Sequence, residues 1–160
     1  MRWIANLPDL AATERLAADL APLLDAGDVI ALGGDLGAGK TAFARALLNA
    51  RLGPVEVPSP TFNLVLTYED PGGLPFWHFD LYRLEDPEEA LELGIEEAFA
   101  EAASLIEWPD RLGALLPAER LHLTFMIADN GARRAVVEAS PGWAARLRPL
   151  AQAESWTEIS

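Results

Sequence analysis

The stretch VIALGGDLGAGKT, Val29 to Thr41, decides the fold. Val29 to Leu32 is a short unbroken apolar run, as expected of a strand buried on both faces. It leads directly into Gly34, Asp35, Leu36, Gly37, Ala38, Gly39, Lys40 and Thr41, which satisfy G-x-x-x-x-G-K-[ST] with an additional glycine at Gly37. From Lys40 to Leu52 the apolar residues fall at helical spacing, and Gly53-Pro54 supplies a glycine-then-proline stop. Strand, glycine loop and helix in this order form a P-loop. A triphosphate needs backbone N–H groups close to its oxygens, where a Cβ would obstruct, and the positive end of a helix beneath it. In this reading Lys40 reaches the outer phosphates, the Thr41 hydroxyl ligates Mg²⁺, and Ala42 completes the nucleotide-contacting set. Lys40 is the single lysine in a chain with eleven arginines, so its place inside the loop is not surface decoration.

Outward from the loop, the pattern alternates strands and helices. Arg2 to Ala5 is expected as a short edge strand. Asn6 then acts as an N-cap for a helix reaching about Leu24, with Pro8 in its first turn and Asp9 at N3. After the P-loop helix, Asn63 to Glu69 and Phe76 to Leu81 form an antiparallel hairpin around the turn-rich DPGGLP. On its second strand Phe76, His78 and Asp80 share one face, while Trp77, Phe79 and Leu81 share the other. Helical pieces at 88–93 and 95–103 precede a strand at 103–106 and a short helix near Asp110 to Leu116. A second hairpin turns at Asp129-Asn130-Gly131, and a last helix covers Pro141 to Leu150. The expected fold is α/β, a single P-loop NTPase domain over residues 1–150. Its three layers surround a mixed, mostly parallel sheet with an inserted antiparallel hairpin. Residues 151–160 form a C-terminal tail outside that domain.

A P-loop enzyme also needs a carboxylate for Mg²⁺ or its waters at the carboxyl end of a neighbouring strand. Phe76 to Asp80 and Ser104 to Glu107 both end apolar runs on an acid, where an unpaired carboxylate would be costly to bury. Asp80 and Glu107 are therefore the candidate metal and catalytic residues beside Lys40 and Thr41, and which of the two binds the metal directly is open. His78 shares a face with Asp80 and is expected to orient it. Thr61, on the proline-stiffened Ser59-Pro60-Thr61, is either a metal- or γ-phosphate-sensing hydroxyl or the exposed side chain of a rigid turn. Trp108 is either core or part of the site. Arg83 contacts either a phosphate or the acidic helix.

Composition narrows the partners. Of 160 residues 51% are apolar and 23% charged, the balance of a folded globular chain. The apolar runs fall far short of a membrane span, and residues 1–15 turn acidic and amphipathic at once, unlike a secretory signal. The absence of cysteine excludes disulfide frameworks and thiolate metal sites, so the expected location is the cytoplasm. A net charge of −13 repels free nucleic acid, which disfavours direct binding of RNA or DNA.

GDLGAGKT, VPSPTFNLV, HFDLYRL, ELGIEEAF and IEWPDRL, in this order and spacing, resemble the bacterial TsaE (YjeE) family. The likeness spans nearly the whole domain and leaves out the final ten residues. It implies a small P-loop ATPase, weakly active alone, required for threonylcarbamoyladenosine formation in tRNA and bound to the partner proteins TsaD and TsaB. Carried over, Thr41, Asp80 and Glu107 would serve the magnesium and hydrolysis site, Thr61 a switch-like loop, and Trp108 would pack close to the nucleotide. Ala42 departs from the family, which often repeats threonine there. Other readings of a P-loop are a small-molecule kinase, a nucleotide-dependent scaffold and a GTP switch. The last requires a guanine-reading Asn-Lys-x-Asp motif, which a chain with its only lysine in the P-loop does not have.

Overall fold

The computed structural model describes residues 1–53, 57–58 and 64–159. Eight strands form one sheet: β1 (Arg2–Leu7), β2 (Val29–Gly34), β3 (Val65–Glu69), β4 (Pro75–Asp80), β5 (Ala103–Glu107), β6 (Leu121–Ile127), β7 (Arg133–Ala139) and β8 (Trp156–Ile159). Their order is β3-β4-β5-β2-β6-β7-β1-β8. The sheet is mixed. β4, β5, β2 and β6 run parallel at its centre, and antiparallel pairs flank them on both sides. The first hairpin is part of this frame rather than an appendage, because its second strand, β4, joins the parallel block against β5.

Helices α1 (Leu10–Leu20), α2 (Lys40–Leu52) and α5 (Pro141–Leu147) cover one face, where Leu16, Leu20, Phe43, Leu47, Trp143 and Leu147 meet the inward residues of the sheet. α3 (Glu89–Glu92), α4 (Ile95–Glu101) and a 3₁₀ segment at Pro109–Leu115 cover the other, around Phe79, Leu81, Ile95, Ile106 and Leu112. β4 divides between these layers as its alternation predicts, with Phe76 in the first core and Phe79 in the second. Strands β2 and β5 are buried on both faces, from Val29 to Leu32 and Ala103 to Glu107. Among the described residues no helix is long and apolar enough to cross a membrane.

Three expectations at the chain ends need correction. Asn6 is not a helix cap: it pairs with Arg134 in the sheet, because Pro8 holds the preceding residue extended and prolongs β1 to Leu7. Asp9 is the cap, its carboxylate accepting the Ala12 N–H at 2.8 Å. Nor is β1 an edge strand or 151–160 a separate tail. Residues Trp156–Ile159 pair antiparallel with β1 and take the edge themselves, and Trp156 packs edge-on against Trp3 at 5.8 Å between ring centroids.

Candidate nucleotide site

The P-loop is shaped by two glycines that no other residue could replace without strain. Gly34 has φ +121, and a Cβ there would lie 2.4 Å from the Phe125 carbonyl oxygen on β6. Gly39, at φ +120, caps α2, and its carbonyl accepts the first helical bond from the Phe43 N–H. The loop tightens through Ala38 N–H donating to the Asp35 carbonyl at 3.1 Å. Asp35, Leu36 and Gly37 stand exposed at the tip, and Leu36 is 76% exposed. Ala38 is buried beneath them.

Lys40 folds back into this ring. Its ammonium donates to the Gly34 carbonyl and lies 3.3 Å from the centroid of the Trp108 ring. Burial pushes its pKa below the usual lysine value, and the carboxylates of Glu107, Asp80, Asp110 and Asp35 oppose that shift. Ala42, in the first turn of α2, also borders a groove of about 980 Å³ between α1 and α2, beside Leu10 and Arg45. That groove is the larger hollow, but it contains none of the acids or the lysine just described.

The parallel register brings the two candidate acids to one strand edge. Asp80 on β4 lies opposite Glu107 on β5, and Glu107 lies opposite Leu32 on β2. Glu107 is only 2% exposed. Its Oε1 accepts the Thr41 hydroxyl at 2.8 Å, and its Oε2 lies 2.7 Å from Nε2 of the fully buried His78. His78 therefore holds Glu107 and not Asp80, contrary to the sequence expectation. The two residues share a face of β4, but the neighbouring strand brings a carboxylate closer to the imidazole than Asp80 is. Asp80 is partly exposed, and Tyr82 N–H donates to its Oδ1 at 3.2 Å. Burial raises its pKa above the usual aspartate value; the Tyr82 N–H works against this, and the Glu107 charge adds to it. Thr41, Asp80, Glu107, Trp108 and Arg83 line one hollow of about 300 Å³ with Leu36 and Tyr82.

Trp108 owes its place to an unusual backbone. Its φ of +60 is rare for a bulky residue, and its N–H donates to the Leu32 carbonyl, so the chain turns sharply as β5 ends. The ring is thereby held between Lys40 and the half-exposed Tyr82, whose centroid is 4.9 Å away. Sequence reasoning did not single out Tyr82, although it follows Asp80 by two residues. It also missed Arg133, whose Nη2 donates to the Gly37 carbonyl at 3.3 Å. Thr61 lies outside the described residues.

The family described as "Threonylcarbamoyl adenosine biosynthesis protein TsaE" matches residues 7–136. The tRNA threonylcarbamoyladenosine biosynthesis protein TsaE of Rickettsia conorii is 42% identical over 122 residues, covering 76% of this chain and 69% of the relative. Its namesake in Bacillus subtilis is 38% identical over 135 residues, covering 83% and 82%. The crystal structure of Bacillus subtilis YdiB superposes with a TM-score of 0.77 at 29% identity, over 94% of this chain and 93% of that one. A match across most of the domain, in sequence and in fold, places this P-loop chain in the TsaE family, that of threonylcarbamoyl adenosine biosynthesis.

Proposed function

We propose that the chain binds ATP at Gly34–Thr41 and hydrolyses it slowly, serving threonylcarbamoyladenosine modification of tRNA in the cytoplasm. Its turnover rises when it joins TsaD and TsaB, and it meets tRNA only through them. The observation that carries this reading is the chain of contacts from Thr41 through Glu107 to His78, set beside Lys40 and Asp80 at the carboxyl edge of the parallel strands. A loop that only binds nucleotide has no need of a buried carboxylate fixed at both oxygens. The donor set also suits a hard cation: Mg²⁺ held by the Thr41 hydroxyl and a carboxylate of Asp80 or Glu107 would neutralise charge on the phosphates.

The chain's own groups divide the remaining work. Lys40, already desolvated, presents its ammonium to the outer phosphates at little further cost in lost hydration. The exposed amide run around Gly37 and the first turn of α2 cradle the inner phosphates. His78 and Thr41 together fix the rotamer of Glu107. Asp80, more exposed and holding its proton more readily than an ordinary aspartate, is suited to accept a proton from the attacking water. Trp108 supports Lys40 from below. The acidic net charge fits a subunit that docks on a tRNA enzyme instead of on tRNA.

Measuring ATP hydrolysis with and without the TsaD–TsaB pair tests the proposal. Slow turnover alone and stimulation by the pair are expected. No stimulation, together with phosphate transfer to a small metabolite, would replace it with a kinase. Asp80→Asn should lower kcat by about a hundredfold with ATP binding retained. Glu107→Ala should impair hydrolysis more than binding, and equal loss of both would reduce Glu107 to a folding role.

A further inference from the structure

The two faces of the sheet are not covered alike. On one, the core beneath α1, α2 and α5 takes in Trp3, Ala5, Ala135 and Val137 of β1 and β7. On the other, α3, α4 and the 3₁₀ segment close a core over β2, β4 and β5. Among the described residues that core includes none from β6, β7, β1 or β8. Strand alternation therefore leaves one face of these four strands without a helical layer. Register lines up Thr124, Val136, Ile4 and Thr157 as its middle row. Arg134 lies beyond this row toward the P-loop end, beside Met126, and Glu138 and Arg2 lie toward the other end. Charge is reversed here as well. The chain has 25 acids against 12 lysines and arginines, yet Arg2, Arg120 and Arg134 gather around the single Glu138, with Asp110 bordering them near His122. Glu138 meets Arg2 at 3.7 Å, with both side chains about half exposed. Arg120 donates only to neutral acceptors, the Pro117 carbonyl at 2.8 Å and His122 Nδ1 at 3.1 Å. Arg134 makes no ion pair among the described residues. Between Arg2 and Arg120 opens a hollow of about 370 Å³, lined also by Ser140, whose hydroxyl has no hydrogen-bond partner among the described residues.

We propose that the uncovered half of the sheet, β6-β7-β1-β8, is a docking face for an acidic amphipathic helix of a protein partner. This rests on the reading above that the chain works bound to TsaD and TsaB, and it assigns that binding a surface and a chemistry. Four strands about 4.8 Å apart make a strip about 14 Å wide, room for one helix of about 10 Å diameter. Such a helix completes the layer that α3 and α4 begin on the other half of this face. Ile4 and Val136 supply apolar contact at the centre, and the arginines at both ends supply a cationic rim, the layout of a protein interface. A carboxylate of the partner in the hollow meets two guanidinium groups and the Ser140 hydroxyl. Other occupants fit less well. A second copy would set the same arginines against one another. Nucleic acid is repelled by the rest of the chain, and no Phe, Tyr or Trp stands in these rows to stack on a base.

Biolayer interferometry of the full chain against the purified TsaD–TsaB pair tests the face. Arg2→Glu combined with Arg134→Glu reverses two exposed charges on it and should weaken binding by about tenfold or more. Mg-ATP binding by the same variant alone should stay within about twofold of wild type, which reports an intact fold. Arg134→Glu by itself, at an exposed position without an ion pair, should weaken the pair about fivefold. Arg15→Glu with Arg148→Glu makes the same change in net charge at exposed positions on the α1 and α5 side, and should leave the affinity within about threefold. Equal weakening by both double variants would reduce the effect to net charge and overturn the docking face. So would an unchanged affinity in the Arg2 and Arg134 variants. Sedimentation showing a wild-type dimer that the face variant dissociates would make the occupant a second copy, and a gel shift of tRNA lost in that variant would make it nucleic acid; either result overturns the proposal. A wild-type chain that does not bind the pair sinks the partner reading itself, and this face with it.

Discussion

His78→Leu tests the contact on which the hydrolysis site depends. Leucine has a similar bulk to histidine, so at this fully buried position the packing change is small and the lost bond dominates. The bond is a 2.7 Å contact with Glu107 Oε2, on a carboxylate that is itself 2% exposed. Breaking a buried pair by removing one partner costs about 3–5 kcal/mol, because the remaining carboxylate loses its contact at Oε2 and keeps the Thr41 hydroxyl at Oε1. Against this, His78 Nδ1 is buried without a hydrogen-bond partner among the described residues, and removing it returns about 1–2 kcal/mol. The net loss is then about 1–4 kcal/mol, or a Tm lowered by about 2–16 °C for a domain of this size. Urea unfolding at constant m-value reads the free energy directly. Repeating the change in a Glu107→Gln background isolates the charge: with a neutral acceptor, the same substitution should cost only about 1 kcal/mol. A loss below about 1 kcal/mol in the wild-type background, or an equal loss in both, would show that His78 is merely core and refute the reasoning.

Three further changes probe the frame around this site. Gly34→Ala places a Cβ 2.4 Å from backbone oxygen at φ +121, so a loss above about 3 kcal/mol or failure to fold is expected; circular dichroism on the purified variant showing wild-type stability would contradict the loop geometry. Trp156→Ala removes the edge-on partner of Trp3 and should cost about 1–3 kcal/mol in urea melts, whereas a segment detached from the domain would leave the midpoint unmoved. His122 is held below the ordinary histidine value of 6.5, first by burial and then by the adjacent Arg120, with Glu138 and Asp110 opposing. A base whose folded pKa is depressed contributes stability above the unfolded value, and that contribution is lost as pH falls through the folded one. Wild type should therefore lose more stability than His122→Gln between about pH 7 and about pH 5, and parallel curves would refute the assignment.

What could be read from sequence, and what could not, follows the distance along the chain over which each feature is decided. The P-loop was legible because its own signals are contiguous: a buried strand, glycines at fixed spacing, and a helix that starts on Lys40. The shared placement of Asp80 and Glu107 was legible for a similar reason, since each ends an apolar run and the carboxyl ends of parallel strands share one edge. The Asn6 error shows the limit. Asn6 and Asp9 are both good caps locally, and only pairing with Arg134, far along the chain, takes Asn6 into the sheet. The same holds for Trp156–Ile159, whose four residues have no strong pattern of their own and become a strand because β1 offers an open edge. His78 and Arg133 carry this argument furthest. Strand alternation correctly assigned a face to His78, but its partner is chosen by the register of β4 against β5, which no local pattern encodes. Arg133 lies 92 positions beyond Thr41 and acquires meaning only because β6 and β7 follow β2 in the sheet and deliver the hairpin to the loop. A local motif can thus announce a nucleotide loop, whereas the residues that make one loop differ from another arrive through strand order. The variant at position 78 is accordingly the one that tests what strand register adds to this chain.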